Sequence, residues 1–487
     1  MTICTPVCMK VTAFVVAVIF LILGSLTVAY WDGMYTNILH DELSLSNTSK
    51  GYNMWKETPI PMYLKIYLYN WTNAEEATKD WKLKPEFEQC GPYVFLEHHK
   101  RVNMTWNPND TITFMQERRW YFQEDLSNGT LDDKITNLNV IATTAAYTAR
   151  NFPALIKEGL NFLLGQTEKV VITRTSGQWM FDGFDDKLID LLKNFSIPIH
   201  MPFDKFGWFY LRNNSATYDG SFTMYTGRDD IELLGIIEEW NGKPKSPAYP
   251  SYCGFVNGTS GELWPPVKKY NKVSVFSPDI CSSITLFQSD DIPSVAGIEG
   301  KSYVGTDYIF DNGTKYPEQA CFNGVQVFPS GIRDVSKCKF GAPAFVSYPH
   351  FKHADPWYLS KINGLDPNGS DYSFKMSLEP NTGVPLEVDA QFQINILVDK
   401  ITHIDMFKKA PKMMIPMLWF KQTATLTDEY ASQIKFLLLL PQIGNYTAYG
   451  MIGIGCFIAI IAIIVTIKNA WKGSNGEESQ LLPEDKL

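Results

Sequence analysis

Hydrophobic residues are concentrated in two uninterrupted runs near the ends of the chain, residues 11–30 and residues 447–467. Neither run contains a charged residue, and each has about the 20 residues that a helix needs to cross a bilayer. A helix can cross because it satisfies its own backbone hydrogen bonds where water is absent. The pattern predicts membrane-spanning helices at residues 11–31 and 446–467, with one large domain, residues 32–445, between them.

Between the two runs, short segments rich in β-branched and aromatic residues end at polar turns, which is typical of strands. These segments are residues 62–69, 111–114, 120–122, 170–174, 208–211, 221–225 and 392–398. Helical patterns occur at residues 135–152, at 186–194 and at 153–165, where Pro153 can open a helix and Gly165 can close it. We therefore expect an α+β fold, a β-rich body with a helical cap at about residues 135–195.

Motifs for N-glycosylation place the middle domain outside the cytosol. All eleven Asn-x-Ser/Thr triplets lie between the apolar runs, and so many confined to one segment indicate a sugar-coated surface. Asn445 adjoins the second run and is too close to the bilayer to be modified. We predict sugars at the other ten positions, which are Asn47, Asn70, Asn103, Asn109, Asn128, Asn194, Asn213, Asn257, Asn312 and Asn368.

Cysteine usage agrees with an extracellular domain. Four of the eight cysteines cluster late in the domain, at Cys253, Cys281, Cys321 and Cys338. Such a cluster is typical of a disulfide framework formed in an oxidising compartment. Four cysteines allow three pairings, and the spacing does not choose among them. Cys90 is left over, and it fits either a buried thiol or an intermolecular bridge.

Both termini are predicted to be cytoplasmic, residues 1–10 and residues 468–487. Lys468 and Lys472 flank the second run, which favours a cytoplasmic C-terminus. A cleaved signal peptide is the alternative at the N-terminus, but the first run is longer than a typical signal core. Cys4 and Cys8 precede that run, where thiols are often palmitoylated.

The C-terminal tail contains one short trafficking motif. Glu477 precedes Leu481 and Leu482 by the spacing of an acidic dileucine sorting signal, which an endocytic adaptor would bind. An incidental leucine pair in a disordered tail is the alternative. With the signal, we expect the protein at the plasma membrane, cycling to endosomes and lysosomes.

Composition and charge narrow the class of function. The chain is 45% hydrophobic and 14% aromatic with a net charge of −9, which favours a folded domain and argues against nucleic acid as a partner. It has no Gly-x-Ser-x-Gly elbow, no phosphate-binding loop and no His-Glu-x-x-His zinc helix. His350, His353 and the pair His98-His99 lack the carboxylate or cysteine pattern of a metal site. We expect no enzyme activity, no catalytic residues, no metal and no cofactor.

Several motifs of the middle domain resemble, in residues and order, those of one known family, the class B scavenger receptors, which include croquemort-type and lysosomal integral membrane protein-type members. The motifs are Lys84-Pro85, Cys90-Gly91-Pro92-Tyr93-Val94, Trp179-Met180-Phe181-Asp182-Gly183-Phe184-Asp185-Asp186, Tyr348-Pro349-His350-Phe351, Ala354-Asp355-Pro356, Gly364-Leu365-Asp366-Pro367-Asn368, Leu378-Glu379-Pro380-Asn381-Thr382-Gly383 and Pro416-Met417-Leu418-Trp419-Phe420.

The resemblance implies a large antiparallel β-barrel with a helical cap bundle and a hydrophobic tunnel. It also implies that lipids or lipoprotein-like particles bind at the cap, and that lipid moves through the tunnel toward the bilayer. The lipid would be a fatty acid, a sterol, a sterol ester or a carotenoid. An apolar path suits them, because each methylene kept from water contributes about 0.8 kcal/mol.

Two other functions remain open beside lipid transport. One is an endocytic or lysosomal docking receptor for particles, apoptotic cells or a protein partner, without lipid conduction. The other is a two-span channel, which the second run disfavours because it lacks a charged or strongly polar pore position.

The resemblance also implies disulfides between Cys253 and Cys321 and between Cys281 and Cys338. Ligand choice is expected in the cap, where the lysines would attract anionic ligands, although Glu168 opposes one of them. Ordinary solvated charges and core packing are the alternatives for these residues, so an uncharged ligand stays as open as a fatty acid. The ligand-binding candidates are Phe152, Leu155, Lys157, Leu160, Leu163 and Lys169.

Overall fold

The computed structural model describes residues 6–194 and 203–478, and its fold is α+β, as the sequence predicted. The chain forms two compact units. One unit contains the two ends of the chain, up to Glu42 and from Glu429 onward, and the other is Leu43–Asp428.

The secondary structure is mostly antiparallel strands with few helices. The α-helices of the described residues are α1 Pro6–Leu43, α2 Lys50–Lys56, α3 Ala74–Asp80, α4 Val140–Thr148, α5 Ala154–Thr167, α6 Lys187–Asn194 and α7 Asp428–Glu478. The strands are β1 Met62–Trp71, β2 Phe87–Trp106, β3 Thr111–Phe122, β4 Lys134–Leu138, β5 Val171–Thr175, β6 Phe184–Asp185, β7 Lys205–Phe206, β8 Ser221–Tyr225, β9 Ile237–Trp240, β10 Lys272–Ser277, β11 Ser282–Gln288, β12 Ser294–Val295, β13 Ile298–Glu299, β14 Lys301–Val304, β15 Arg333–Asp334, β16 Ala344–Ser347, β17 Lys375–Leu378, β18 Pro385–Val398 and β19 Met413–Thr425.

The larger unit is built on one antiparallel sheet that curls into a barrel. Its strand order is β10-β11-β14-β17-β18-β19-β1-β2-β3-β8-β9, with β16 added to β18 and β15 to β16. The two outermost strands, β9 and β10, are joined through residues 257–259, which we call the closing segment. A barrel that closes in this way leaves few exposed sheet edges.

The closing segment hydrogen-bonds to both edges of the sheet. The Ile237 amide donates to the Gly258 carbonyl at 2.9 Å, and the Thr259 amide donates to the Ser274 carbonyl at 3.0 Å. The Phe276 amide donates back to the Thr259 carbonyl at 2.8 Å. Gly258 is required here, because its φ is +86° and a Cβ would lie 1.9 Å from the Ser274 carbonyl oxygen.

Most of the predicted strands are present. Residues 62–69, 221–225 and 392–398 lie in β1, β8 and β18, and residues 111–114 and 120–122 belong to the single strand β3. The prediction for residues 208–211 was wrong, because this segment is a turn. Its amides donate to the carbonyls of residues 179 and 180 instead of to a neighbouring strand.

The helical cap lies within the predicted residues and is partly β. The helix predicted for 135–152 begins later, because residues 134–138 form β4 and pair with β5. Asn139 then caps α4 by accepting a hydrogen bond from the Ala142 amide at 3.0 Å. Helix α5 follows Pro153 as predicted and buries Leu160 and Leu164, but it continues through Gly165, which was expected to close it, to Thr167.

The smaller unit is a pair of long helices. Met9–Leu43 and Asp428–Asn469 are long and apolar enough to cross a membrane, and both continue past the apolar runs. Small residues let the pair approach closely. A Cβ on Gly24 would lie 2.9 Å from the Ala448 carbonyl oxygen, and one on Gly455 would lie 3.0 Å from the Ala17 carbonyl oxygen.

The cysteines of the larger unit form two bridges. Cys253 is bonded to Cys321 and Cys281 to Cys338, which is the pairing that the family resemblance implied. Cys90 is a free, half-buried thiol on β2, and its pKa is raised because burial disfavours the thiolate.

Candidate functional site

The inside of the barrel can be identified from strand β2. Glu97, His99 and Arg101 are buried, whereas His98 and Lys100 between them are exposed. Because alternate residues of a strand face opposite sides, the first three point into the barrel. Strand pairing then assigns the inward rows of the neighbouring strands.

An aromatic lane runs along the inward face of one part of the barrel and into the cap. We use this name for Phe95, Phe181, Phe209, Phe420 and Phe392. Successive ring centroids are 4.6, 5.2, 6.5 and 6.3 Å apart in that order. The first ring is on β2 and the last two are on β19 and β18, while the second lies in the short π-helical turn Gln178–Asp182 of the cap.

Several side chains in the aromatic lane or beside it are not fully packed. Val388, Ala390, Ile394, Phe420 and Gln422 lie on inward rows, and each keeps partial exposure. In a well-packed core such positions would be fully buried. The lane therefore combines apolar side chains with accessible surface, as sites for apolar ligands do.

The inward face of β2 and β3 has the opposite character, because it carries a connected set of charges. We call this set the charged ladder. His99 Nδ1 lies 2.6 Å from Glu262, and Arg212 lies 3.1 Å from Asp219 and 3.0 Å from Asp279. Its members are Glu97, His99, Arg101, Gln116, Arg118, Arg212, Asp219, Glu262 and Asp279.

Three carboxylates of the charged ladder, those of Glu262, Asp219 and Asp279, have lowered pKa values and are ionised. Burial alone would raise their pKa values, but the nearby cations have the larger combined effect. Arg101 and His99 hold the pKa of Glu262 well below its usual range. Arg212 and Arg118 lower the pKa of Asp219 to about 2.

His99 is held in place through both of its ring nitrogens. The Gln116 side chain donates from Nε2 to Asp219 at 2.9 Å, so it presents Oε1 to His99 Nε2 at 3.0 Å. The other ring nitrogen faces a carboxylate oxygen of Glu262. These contacts fix the orientation of the ring between β3 and the Glu262 side chain.

The charged ladder interleaves acidic and basic side chains. The carboxyl groups of Glu97, Glu262, Asp219 and Asp279 face Arg101, His99, Arg118 and Arg212. Lys339, a third exposed, lies 3.8 Å from Asp279. The inward face of β2 and β3 is thus polar, and its charged groups lie beside groups of opposite sign.

The aromatic lane and the charged ladder meet at Glu97. Its Oε2 accepts hydrogen bonds from Trp120 Nε1 at 3.2 Å and from Gln422 Nε2 at 2.9 Å. The Trp120 ring lies 5.5 Å from the ring of Phe181, which belongs to the lane. The barrel interior is therefore amphipathic, with a sharp boundary between the two surfaces.

The family motif around His350 forms a buried hydrogen-bonded cluster. The Asp366 amide donates to His350 Nδ1 at 3.1 Å, so Nε2 carries the proton and donates to Gln89 at 2.8 Å. Burial lowers the pKa of His350 to about 4, so the ring is neutral. Gln393 accepts from the His350 amide and from Tyr69, both at 2.8 Å. These bonds fit a structural role for the motif.

Four of the ligand-binding candidates lie on different faces of α5, while Phe152 precedes this helix and Lys169 follows it. Leu155 is 80% exposed, while Leu160 is buried and packs in the core. Lys157 is also buried, and its ammonium donates to Thr402 at 3.2 Å, so it does not offer its charge to a ligand. Phe152 and Leu163 are half-buried, and Lys169 is exposed.

Several functional candidates were not found from the sequence. Phe162 is 67% exposed on the same helix as Leu155, but it interrupts the apolar pattern that predicted the inner face. Residues 97–101 are all polar, so their alternation between inside and outside gave no signal. Phe181 lies in a recognised motif, whereas the turn containing Phe209 was predicted to be a strand.

The predicted modification and sorting sites are placed only in part. Asn47, Asn103, Asn109, Asn128, Asn213, Asn257 and Asn368 are exposed, and Asn70 and Asn312 are half-buried. Cys4, Leu481 and Leu482 lie outside the described residues, as do the side chains of Cys8, Asn194 and Glu477. Modification and sorting at these positions stay predictions.

Comparison with known proteins gives one family. The CD36 family profile matches residues 13–466. Protein peste of Drosophila melanogaster is 35% identical over 419 residues, which cover 85% of this chain and 75% of that protein. Scavenger receptor class B member 1 of Bos taurus is 31% identical over 464 residues, 94% of this chain and 89% of that protein. Lysosome membrane protein 2 of Homo sapiens is 29% identical over 455 residues, 91% and 92% of the two chains.

The family match begins inside the first apolar helix, includes the whole barrel and ends inside the second apolar helix. The chain is therefore a membrane protein and belongs to the CD36 family of class B scavenger receptors.

Proposed function

We propose that this protein is a scavenger receptor that binds lipids or lipid-carrying particles at its cap and moves lipid through the barrel toward the membrane. The observation that carries the proposal is the aromatic lane, which connects the cap to the inner barrel wall without a break. Partly exposed apolar side chains border it, so a lipid could remain out of water along its length. The process needs binding and diffusion, and no covalent step.

Docking at the cap is supported by the outer face of α5. Leu155 and Phe162 are exposed large apolar side chains seven residues apart, which places them on one side of the helix. Lys169 adds a positive charge beyond the helix end. Such a surface would hold the apolar and anionic components of a lipid particle.

The docking step is tested on cells that express the full chain. Leu155→Asp and Phe162→Asp should lower the binding of labelled lipoprotein particles severalfold. Gln166→Asp, which is on the same helix and exposed, is the control for added charge. If all three variants bound particles equally, this face of α5 would not be the docking surface.

The conduction step is tested by narrowing the barrel. Ala390→Trp adds a large ring on the inward row, and Thr423→Trp adds one on the outward row of β19 beside it. With particle binding unchanged, the first variant should reduce uptake of labelled fatty acid, sterol, sterol ester and carotenoid, and the second should not. Unchanged uptake with Ala390→Trp would favour a docking receptor that does not conduct lipid.

Trafficking is the remaining part of the proposal. One named relative is a lysosome membrane protein and another is a scavenger receptor, which is consistent with cycling between the cell surface and lysosomes. The double variant Leu481→Ala/Leu482→Ala should raise the surface level if an endocytic adaptor reads the tail. Equal surface levels of the variant and the parent would remove the sorting signal from the proposal.

A further inference from the structure

A short segment after the closing segment crosses one end of the barrel. We call residues 260–267 the strap. The barrel end in question is the one where β18 begins and where β19 ends before the chain continues into α7, and we call it the membrane end. The strap bonds to β2, to the turn between β17 and β18, and to β14. In the sheet order β2 and β14 are separated by β17, β18, β19 and β1, so the strap connects opposite walls.

The first anchor of the strap is ionic. The Glu262 carboxylate pairs with Arg101 and lies 2.6 Å from His99 Nδ1. Both partners are buried and point into the barrel from β2. Thr58, which precedes β1, donates from Oγ1 to the same carboxylate at 2.9 Å. Removing one partner of a buried ion pair leaves the other charge uncompensated, so this anchor depends on the charge of Glu262.

The second anchor consists of hydrogen bonds to the strap backbone. The Val267 amide donates to the Pro380 carbonyl at 2.9 Å, and the Tyr303 hydroxyl on β14 donates to the Val267 carbonyl at 3.4 Å. The carbonyl of Pro265 packs so closely against Gly383 that a Cβ would not fit there. The far end of the strap is therefore held by the turn between β17 and β18 and by β14.

The residues of the strap combine a flexible start with a stiff body. Gly261 has a φ of +97°, and a Cβ there would meet no atom closer than 3.6 Å, so its backbone is free to rotate. Pro265 and Pro266 stiffen the other half, because each ring fixes its φ. Trp264 is buried and donates from Nε1 to the Gly261 carbonyl at 3.0 Å. We therefore expect the strap to move as one body about Gly261.

The accessible part of the barrel wall leads to the strap. Ala390 and Gln422 form one half-exposed pair on the inward rows of β18 and β19, and Val388 and Ala424 form the next pair toward the membrane end. Strand register places His99, which holds the strap, one inward position beyond this second pair. A lipid that follows the wall from the cap therefore meets the strap before it leaves the barrel.

The wall formed by β3 and β8 is closed at the same end. A packed apolar cluster fills it, and each of its central side chains is at most 1% exposed, namely Leu45, Ile112, Phe114, Phe222 and Met224. Passage along this wall would require a close-packed core to open. Passage beside β18 and β19 requires only that one short segment moves.

We propose that the strap is a gate at the membrane end of the barrel, held shut by the Glu262 carboxylate between Arg101 and His99, and that lipid passes when this anchor opens. The inference rests on the proposed function, because it assumes that lipid moves through the barrel, and it adds the step that controls release. Glu262 is a positioning residue, since it fixes the strap without having to touch the lipid.

The experiment follows a fluorescent cholesteryl ester from phosphatidylcholine-coated particles into vesicles that contain the purified full-length chain. Particle binding and ester transfer are measured separately. Glu262→Gln keeps the shape and removes the charge, so transfer should become severalfold faster with particle binding unchanged. Thr58→Val, which removes one hydrogen bond from the anchor, should act in the same direction and more weakly. Asp389→Asn is the control, because it breaks an ion pair with Lys421 on the outward row of β18 and should change neither reading.

A locked strap tests the opposite direction. Thr58→Cys combined with Glu262→Cys places two thiols where the natural side chains are hydrogen-bonded, within reach of a short bis-thiol cross-linker. The parent for this pair has serine at the four cysteines outside the two bridges. The cross-linked chain should bind particles normally and transfer the ester severalfold more slowly than its parent. The same reagent should not change transfer by Thr58→Cys alone.

The outcomes separate the gate from conduction itself. Transfer by Glu262→Gln at the rate of the natural chain would overturn the gate and leave lipid conduction standing. The same holds if cross-linking did not slow transfer, because lipid would then leave the barrel without moving the strap. If the natural chain bound particles but transferred no ester, the proposed conduction would fail together with the inference.

Discussion

At the scale of single residues, Glu168 at the end of α5 makes the stability of the cap depend on pH. Burial and the neighbouring Asp186 raise the pKa of Glu168 from 4.5 to about 7. Its carboxylate accepts a hydrogen bond from Asn139, the capping residue of α4, at 2.6 Å. One acidic side chain therefore joins the end of α5 to the start of α4, close to the residue that precedes α6.

The sign of the pH effect follows from the direction of this shift. Because the pKa is higher in the folded state, the contribution of Glu168 to stability is present below about pH 4.5 and is lost as the pH rises through about 7. We expect the cap amides to be better protected from hydrogen exchange at pH 5.5 than at pH 7.5, after correction for the intrinsic pH dependence of the exchange rate. In α4–α6, Glu168→Gln should remove the part of this pH-dependent difference in hydrogen exchange that comes from the Glu168 carboxyl group. An identical pH profile in that variant would contradict the assignment.

Residue-level prediction from the sequence worked where a pattern constrained one position strongly. Pro153, which was predicted to open a helix, comes directly before α5. Prediction failed for Lys157. A lysine on an apolar helix was taken to be exposed, whereas its ammonium donates a hydrogen bond to Thr402, which is distant in the sequence. Prediction also could not assign Glu97, since its environment comes from Trp120 and Gln422 on other strands.

At the scale of elements, α1 and α7 pack through glycines that allow no side chain. Gly24→Leu and Gly455→Leu would force atoms into the neighbouring backbone and should each destabilise the helix pair by roughly 1–3 kcal/mol. Gly450→Leu and Gly453→Leu are matched controls on α7, because a Cβ there meets nothing within 4 Å. Thermal unfolding in detergent measures the difference. Similar melting temperatures for all four variants would disprove this packing.

The closing segment of the barrel gives a second element-level prediction. Gly258→Ala and Gly242→Ala both place a side chain at positive φ, +86° and +67°. Only the first meets backbone, the Ser274 carbonyl, while the second points into open space. Gly258→Ala should therefore cost roughly 1–3 kcal/mol more in the free energy of unfolding. If chemical denaturation gave equal losses, the closing segment would not be tightly held.

Elements were predicted well from runs of β-branched and aromatic residues and less well where tertiary contacts decide. The run of β-formers at 62–69 became β1, in the middle of the sheet. A similar run at 208–211 has no strand beside it, and its amides bond to the turn at residues 179 and 180 instead. Hydrophobic pattern alone does not show whether a strand partner is within reach.

At the scale of the whole molecule, two disulfides hold distant parts of the larger unit together. Cys253–Cys321 and Cys281–Cys338 close segments of 68 and 57 residues. Each should stabilise the fold by roughly 4 kcal/mol, chiefly by restricting the unfolded chain. The double variant Cys281→Ser/Cys338→Ser should lower the midpoint of chemical unfolding strongly, and Cys90→Ser should do so weakly. Equal midpoints would show that the bridge contributes little.

The overall plan of the molecule was the most predictable part, and the barrel interior the least. The two apolar runs were sufficient to predict the terminal helices, and the ordered motifs were sufficient to predict the barrel and the family. The amphipathic interior was not predictable, because it depends on which side of β2 and β3 faces inward. That choice follows from the packing of the whole sheet and is not visible in a locally polar sequence.

The closing segment also has a consequence for the order of events during biosynthesis. Asn257, a predicted sugar acceptor, is exposed, but the threonine that completes its triplet, Thr259, is fully buried and its hydroxyl accepts from the Gly261 amide. An enzyme that must contact this hydroxyl cannot reach it in the finished barrel. A glycan found at Asn257 would therefore show that the sugar was attached before the barrel closed, while the nascent chain was still unfolded at this segment.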